Sequence, residues 1–183
     1  MQQVSLHVPS YDELWYRQKL MADPATMSYN RGYRLPFEGY DKNTGRIAFP
    51  PTQWRQWYDR FIGHEPERFY AYVVCLTDGA FIGEVNLHKT PDMAYYEMGI
   101  VLESRYRGQG YAAQALKFLL TYAFESLHAD AICNEFEKTR QAAVRAHLAA
   151  GFSLYREHNG LLCLRITRQD YYEKSAPIPT ITD

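Results

Sequence analysis

Apolar and polar positions along this chain alternate with two different periods, and the switches between them lay out its elements. A short alternating run from Val4 to Val8 predicts a strand. Ser10 then opens a helix, with Glu13 three residues on as its capping-box partner, and the helix ends near Asp23-Pro24. Between Tyr29 and Pro51 no period survives, because glycines and prolines interrupt the aromatics, so this stretch reads as a long ordered loop. Thr52 next caps a helix, "QWRQWYDRFI", whose Trp54, Trp57, Tyr58 and Phe61 fall at helical spacing and read as a core stripe.

The period then changes to two. "RFYAYVVCL", "AFIGEVNLH" and "AYYEMGIVL" are strands joined by the turns "TDGA" and "KTPDM", and connections this short imply antiparallel pairing. The third strand leads through "ESRYRGQG" into a long helix with an apolar stripe of Ala112, Ala115, Leu116, Leu119, Leu120, Ala123 and Leu127. A helical crossover makes the following strand, "DAICNEF", parallel to its predecessor. A helix from about Arg140 to Ala149 ends at Gly151, and the hairpin signal Asn159-Gly160 joins two last strands, "FSLYREH" and "LLCLRITR". The expected architecture is therefore α+β. Its mixed, mostly antiparallel sheet has six or seven strands, one parallel pair and about four flanking helices. Residues 1–174 form a single domain and 175–183 a loose tail.

Composition narrows the function classes. A formal net charge of −1 with the two signs mixed along the chain leaves no electrostatic footprint for nucleic acid or an anionic membrane. Cys75, Cys133 and Cys163 each sit in an apolar strand run without CxxC spacing, which reads as buried thiols in a reducing, cytoplasmic setting rather than as metal ligands. No leader or membrane-spanning run is legible.

The stretch "RYRGQGYAAQAL" puts Gly108 and Gly110 at the doorway of the long helix, where glycine costs about 1 kcal/mol relative to alanine. A glycine turn entering a helix N-terminus offers inward backbone N–H groups and the positive end of the helix dipole to an anion. Arg107 adds a charged donor, and Ala112 and Ala113 keep the first turn slim. A P-loop is excluded, since neither its lysine nor its hydroxyl is present. The dinucleotide fingerprint is excluded too, since alanine stands at its third glycine and the turn follows an antiparallel meander. What remains is R-x-x-G-x-A: Arg107, Gly108, Gln109, Gly110, Tyr111 and Ala112.

With "YYEMGIVL" before that turn and "AAGF" after the next helix, the chain resembles the GCN5-related N-acetyltransferase superfamily. It is similar in order and spacing to the branch that includes the ribosomal-protein alanine N-acetyltransferases. The resemblance spans Val4 to Arg168 and is strongest from Glu97 to Ala123. It implies acetyl-CoA as cosubstrate, with the pyrophosphate of coenzyme A on the backbone from Gly108 to Ala112 and the pantetheine arm along Ile100, Val101 and Leu102, where the parallel strands splay. Two departures stand out. Arg140 occupies the place of an asparagine that usually opens the second helix, and His147 that of a tyrosine near the leaving sulfur.

Acetylation of an amine needs a neutral nucleophile, stabilisation of an oxyanion and a proton for the departing thiolate. An α-amine with a pKa near 8, or a lysine near 10.4, must lose a proton first. Alternation puts Tyr95, Glu97, Gly99 and Val101 on one face of the third strand, so Glu97 shares a face with the strand end expected to meet the cofactor and is the first candidate base, acting through water. Glu84, Asn86 and His88 form a polar face on the neighbouring strand. They line the acceptor pocket or are the wet side of a sheet, and Glu84 is the second candidate base. A backbone N–H near Ile100 or Val101 serves the oxyanion. His147 and Tyr155 are the candidate acids, although a thiol can depart without one. Tyr29, Tyr33, Phe37, Tyr40 and Phe49 of the long loop are expected to wall the acceptor side.

The acceptor itself stays open among protein N-termini and small-molecule amines. The tail and the final hairpin suit a homodimer. A non-catalytic acyl-CoA sensor with the same cleft is the alternative reading.

Overall fold

The computed structural model describes residues 3–91 and 95–175. The period-two runs become seven strands: β1 (Val4–His7), β2 (Arg68–Cys75), β3 (Phe81–Lys89), β4 (Tyr96–Leu102), β5 (Ala131–Glu137), β6 (Ser153–His158) and β7 (Leu161–Thr167). They form one sheet in the order β1-β2-β3-β4-β5-β7-β6. All neighbours are antiparallel except β4 and β5. The α-helices are α1 (Leu14–Ala22), α2 (Pro24–Met27), α3 (Pro51–Phe61), α4 (Tyr111–Thr121), α5 (Gln141–Ala150) and α6 (Arg168–Ser175). The expected architecture is thus observed, with α2 and α6 as additions. α6 runs through Ser175, one residue past the expected start of the tail, and residues 176–183 of that tail lie outside the described residues.

Two packed layers fix the two faces of the sheet. On one face Val85 and Leu87 of β3, Met98 of β4, Ile132 of β5 and Ile166 of β7 meet Ala115, Leu116, Leu119 and Leu120 of α4. On the other face Tyr70 and Tyr72 of β2 pack with Tyr16, Leu20 and Met21 of α1 and with Met27 of α2. This second layer lies over β2 and β3 and reaches Val101 near the end of β4, while β6 is exposed along all six of its residues.

Local chemistry explains most boundaries. Ser10 N–H donates to Glu13 Oε2 at 2.8 Å, so the capping box forms as expected, ahead of a short 3₁₀ turn that leads into α1. Asp23 ends α1 and caps α2 by accepting from the N–H groups of Ala25 and Thr26. Thr52 is not a cap. Pro50 is the N-cap and Pro51 the first helical residue, as proline's fixed φ favours. The tryptophan stripe of α3 is also not fully core, for no residue of that helix is buried, and Trp57 instead lies against the second layer. Gly151 closes α5 at φ 107°, and Asn159-Gly160 turn the last hairpin at φ 50° and 79°.

The long loop is ordered as expected. Ile47 N–H donates to Met21 O at 3.1 Å and Gly45 N–H to Asp41 O at 2.7 Å. At Gly45 (φ +80°) a side chain would meet Met27 O at 2.2 Å, so the loop tip can pass against α2 only with glycine there.

Candidate active site

β4 and β5 pair at only two positions, Tyr96↔Ile132 and Glu97↔Cys133, and then part. Glu103 N–H donates to Ile82 O at 2.9 Å, and alternation along that antiparallel ladder turns the N–H and C=O of Ile100 and Leu102 away from β3, toward β5. The parting of the strands therefore leaves a wedge with a backbone edge of β4 along one wall, as the splayed parallel pair of the sequence reading requires.

Gly108 (φ +76°) and Gly110 (φ +86°) lie just beyond the end of β4, both in left-handed backbone. Gly110 is the N-cap of α4 and supplies no side-chain oxygen, so nothing from the cap competes for the N–H groups of the first turn. No atom lies within 4 Å of a Cβ built on either glycine. The approach to the α4 N-terminus is open, and its backbone donors and dipole fit a pyrophosphate. The cosubstrate acetyl-CoA fits this pair of features, an open anion cradle and beside it a strand edge that β5 leaves free past Glu97, with the Leu102 carbonyl engaged by Arg107.

The side chains of the motif act differently from the sequence expectation. Arg107 donates from Nε to Leu102 O at 3.1 Å and from Nη2 to Thr26 O at 2.5 Å, so its guanidinium braces β4 to α2 rather than facing the cradle. Ser104 N–H donates to Thr26 Oγ1 at 3.0 Å and completes that brace. Gln109 donates to Arg105 O at 2.8 Å, within the turn. Tyr111 is buried and its ring anchors α4 in the core, edge-on to Tyr106. Ala112 packs partly against the same core.

The candidate bases separate by environment. Glu97 is exposed on the open face at the last rung before the wedge, 2.9 Å from His88 Nε2. Asn86 stands beside the wedge, its amide 2.8 Å from where a Cβ on Gly99 would be, so a side chain at Gly99 would push that amide aside. Glu84 is 4% exposed, and both its oxygens are held by Arg17 Nη1, at 2.5 and 2.6 Å, with Tyr70 O–H donating to it as well. The Arg17 guanidinium lies over Trp57 (4.6 Å), Phe49 (5.3 Å) and Tyr70 (5.6 Å). Burial works to lower the Arg17 pKa, but the attraction of Glu84 outweighs it and the net shift is upward. Glu84 is thus a locked anchor for α1. Phe49 belongs to this cage rather than to a pocket wall.

His147 is 1% exposed, between Phe136 and Phe152. Its Nδ1–H donates to Ala143 O at 2.8 Å, which leaves Nε2 as acceptor from the Asn134 amide at 2.9 Å. Burial holds its pKa below the ordinary value, so the ring is neutral and carries no proton on the nitrogen nearest the sheet. This corrects the expectation of an acid here. Tyr155, 60% exposed on the outermost strand, stacks with the Arg165 guanidinium and is three strand steps from β4.

A neutral buried histidine has a signature in stability. The unfolded chain takes up the proton below about pH 6.5 and the folded chain does not, so stability falls as pH drops from 7 toward 5, by up to about 1.4 kcal/mol per pH unit. Urea titrations at pH 7 and pH 5 should show a smaller drop for His147→Gln than for the wild type, and an acid limb of kcat that does not move.

Arg140 also departs from expectation. From the start of α5 its Nε lies 2.5 Å from Glu137, its Nη2 donates to Tyr29 O at 3.3 Å, and its guanidinium lies 5.0 Å from the Tyr29 ring and 5.9 Å from that of Tyr33. It ties the β5 wall of the wedge to the long loop. Tyr29 sits in the fields of Glu84, Arg140 and Arg107, and burial with the Glu84 charge pushes its pKa up to about 12. Tyr40 braces the loop from inside by donating to Asn30 O and Tyr33 O, while Phe37 is exposed. Of the expected wall residues, Tyr29 and Tyr33 lie against the Arg140 guanidinium beyond the end of β5. Arg17 and Thr26 are the residues the sequence reading missed, since no motif marks either.

A seven-stranded sheet opened at one parallel pair, with an open glycine turn at a helix N-terminus beside the opening, fits a class of acyl-CoA-dependent transferases. Residues 6–153 match the family model described as "Acetyltransferase (GNAT) domain", and the chain belongs to that family. It is an acetyl-CoA-dependent N-acetyltransferase acting on an amine. Among curated proteins none matches the chain.

Solved structures agree in fold. Spermidine N-acetyltransferase from Vibrio cholerae, in complex with CoA and spermine, is 19% identical with a TM-score of 0.72, covering 93% of this chain and 98% of its own. An acetyltransferase of the GNAT family from Bacillus anthracis is 15% identical with a TM-score of 0.68, covering 92% and 99%. A dodecameric form of the Vibrio cholerae enzyme is 17% identical with a TM-score of 0.71, covering 95% and 99%.

Proposed function

We propose that this enzyme acetylates an α-amine, on a small molecule or at a protein N-terminus, with Glu97 as the base. The observation that carries this reading is the place of Glu97: a carboxylate on the open face, at the last β4–β5 rung, beside a wedge suited to the pantetheine arm. Backbone N–H groups of the α4 first turn hold the pyrophosphate, and the β5-facing N–H and C=O of Ile100 with the N–H of Leu102 pair with the arm as an added strand would. The thioester carbonyl of acetyl-CoA is the electrophile.

Glu97 takes the ammonium proton, directly or through one water, and His88 at 2.9 Å holds the carboxylate in place. An α-amine, with its pKa near 8, gives up that proton far more readily than a lysine does. The resemblance in order and spacing to the branch that includes the ribosomal-protein alanine N-acetyltransferases is the sequence argument for an α-amine. No side chain near the wedge is assigned as acid, because the thiol can leave without one. The three free, buried cysteines suit a cytoplasmic setting, and the exposed edge of β6 suits self-association.

The test is amine-dependent release of the CoA thiol. Glu97→Gln should lower kcat by about a hundredfold at saturating acetyl-CoA, the lower end of what a positioned base contributes, with the KM for acetyl-CoA unchanged. Equal turnover by the two proteins would remove Glu97 from the reaction.

A further inference from the structure

The strand register aligns one row of side chains across the open face: His88 on β3, Glu97 on β4, Cys133 on β5 and Arg165 on β7. Arg165 points away from the α4 layer, because its neighbours Leu164 and Ile166 fill that side. Its guanidinium lies 4.9 Å from the Tyr155 ring, and no carboxylate among the described residues lies within ion-pair distance of it. Its Nε is buried without a hydrogen-bond partner. The nearby Glu135 is already paired with Arg156 at 3.3 Å. A buried, unmatched guanidinium donor is costly unless something accepts from it.

The floor between Glu97 and Arg165 carries no charge. Burial pushes the Cys133 thiol up to about 12, so it is neither an anion nor a nucleophile. The row therefore reads carboxylate, neutral spacer, guanidinium. Strands spaced about 4.8 Å apart put the two charged positions about 10 Å from each other. Two charge-assisted hydrogen bonds of about 2.8 Å take up more than half of that span. The remainder suits a compact amine-carboxylate and is too short for an extended polyamine, which would also bring a cation to Arg165.

We infer that Arg165 is a carboxylate-binding specificity residue, and that the acceptor is a zwitterion whose amine meets Glu97 while its carboxylate meets Arg165. The inference rests on the acetyltransferase reading and names the substrate class of the same site. The carboxylate comes from a free amino acid or from an acidic side chain next to a peptide's N-terminus, and the two sources give different patterns.

The experiment compares free α-amino acids with their carboxamides, Asp-containing with Asn-containing peptide amides at the second position, and spermidine, using wild type, Arg165→Gln and Arg165→Lys. The expected result is a kcat/KM for the carboxylate-bearing member of one pair about tenfold or more above that of its neutral partner. Arg165→Gln should erase that ratio through KM, Arg165→Lys should restore part of it, and acetyl-CoA affinity should not move. Preference within the amino acid pair assigns a free carboxylate, and preference within the peptide pair an acidic side chain. Equal use of charged and neutral partners by the wild type, or efficient use of spermidine, would overturn the inference while leaving the enzyme an acetyltransferase. No thiol release with any amine, together with no acetyl-CoA binding, would instead fail the underlying reading.

Discussion

Gly110→Pro abolishes measurable binding of acetyl-CoA. Gly110 has φ +86°, and proline is fixed near −65°, so the turn before α4 cannot keep its course. The N–H groups of the first turn then no longer converge on one point. Two or more charge-assisted hydrogen bonds at about 1.5–3 kcal/mol each are lost, an affinity loss of about three orders of magnitude. Gly110→Ala gives a smaller loss, since a Cβ at this φ costs about 1–2 kcal/mol but meets no atom within 4 Å. Calorimetry with acetyl-CoA reads both variants, and near-ultraviolet circular dichroism reports whether the core around Tyr111 survives. A Gly110→Pro protein that is folded and still binds at wild-type affinity would take the pyrophosphate away from this turn.

Glu84→Ala destabilises the fold by about 3–5 kcal/mol, because it strands the Arg17 guanidinium in an aromatic cage with no counter-charge. Arg17→Met combined with Glu84→Leu recovers much of that loss, since an apolar pair of similar size escapes the desolvation cost. Urea unfolding of the wild type and these two variants measures it. The same experiment separates the two carboxylates on the sheet. If Glu84→Ala keeps its stability but loses turnover, Glu84 is the base and Glu97 is not.

Much of the fold was legible because it is built from local signals. Period two in "AYYEMGIVL", period 3.6 in the stripe from Ala112 to Leu127, and Asn159-Gly160 each concern residues within one element. The glycine turn was legible for the same reason, as a run of six residues whose open left-handed backbone is local. Its side chains were misread because their partners lie far along the chain. Arg107 reaches Thr26 across 81 positions, Arg17 reaches Glu84 across 67, and Arg140 reaches Tyr29 across 111. No spacing rule links such residues, and a charged side chain beside an anion site is read as a ligand until its other partner is seen. His147 went the same way, for nothing in "AHLAAGF" shows that Phe136 and Phe152 close over it.

The two-rung contact between β4 and β5 makes the sheet an unfinished object: four strands on one side, three on the other, and a gap where further rungs would be. On the proposed reading, the pantetheine arm of acetyl-CoA completes it. Whatever free energy acetyl-CoA spends bridging the gap is also free energy holding the two half-sheets together, about 2.7 kcal/mol at a hundredfold excess over its dissociation constant. The loaded enzyme therefore melts higher and resists protease longer than the empty one, by an amount set by how far the cosubstrate exceeds its dissociation constant.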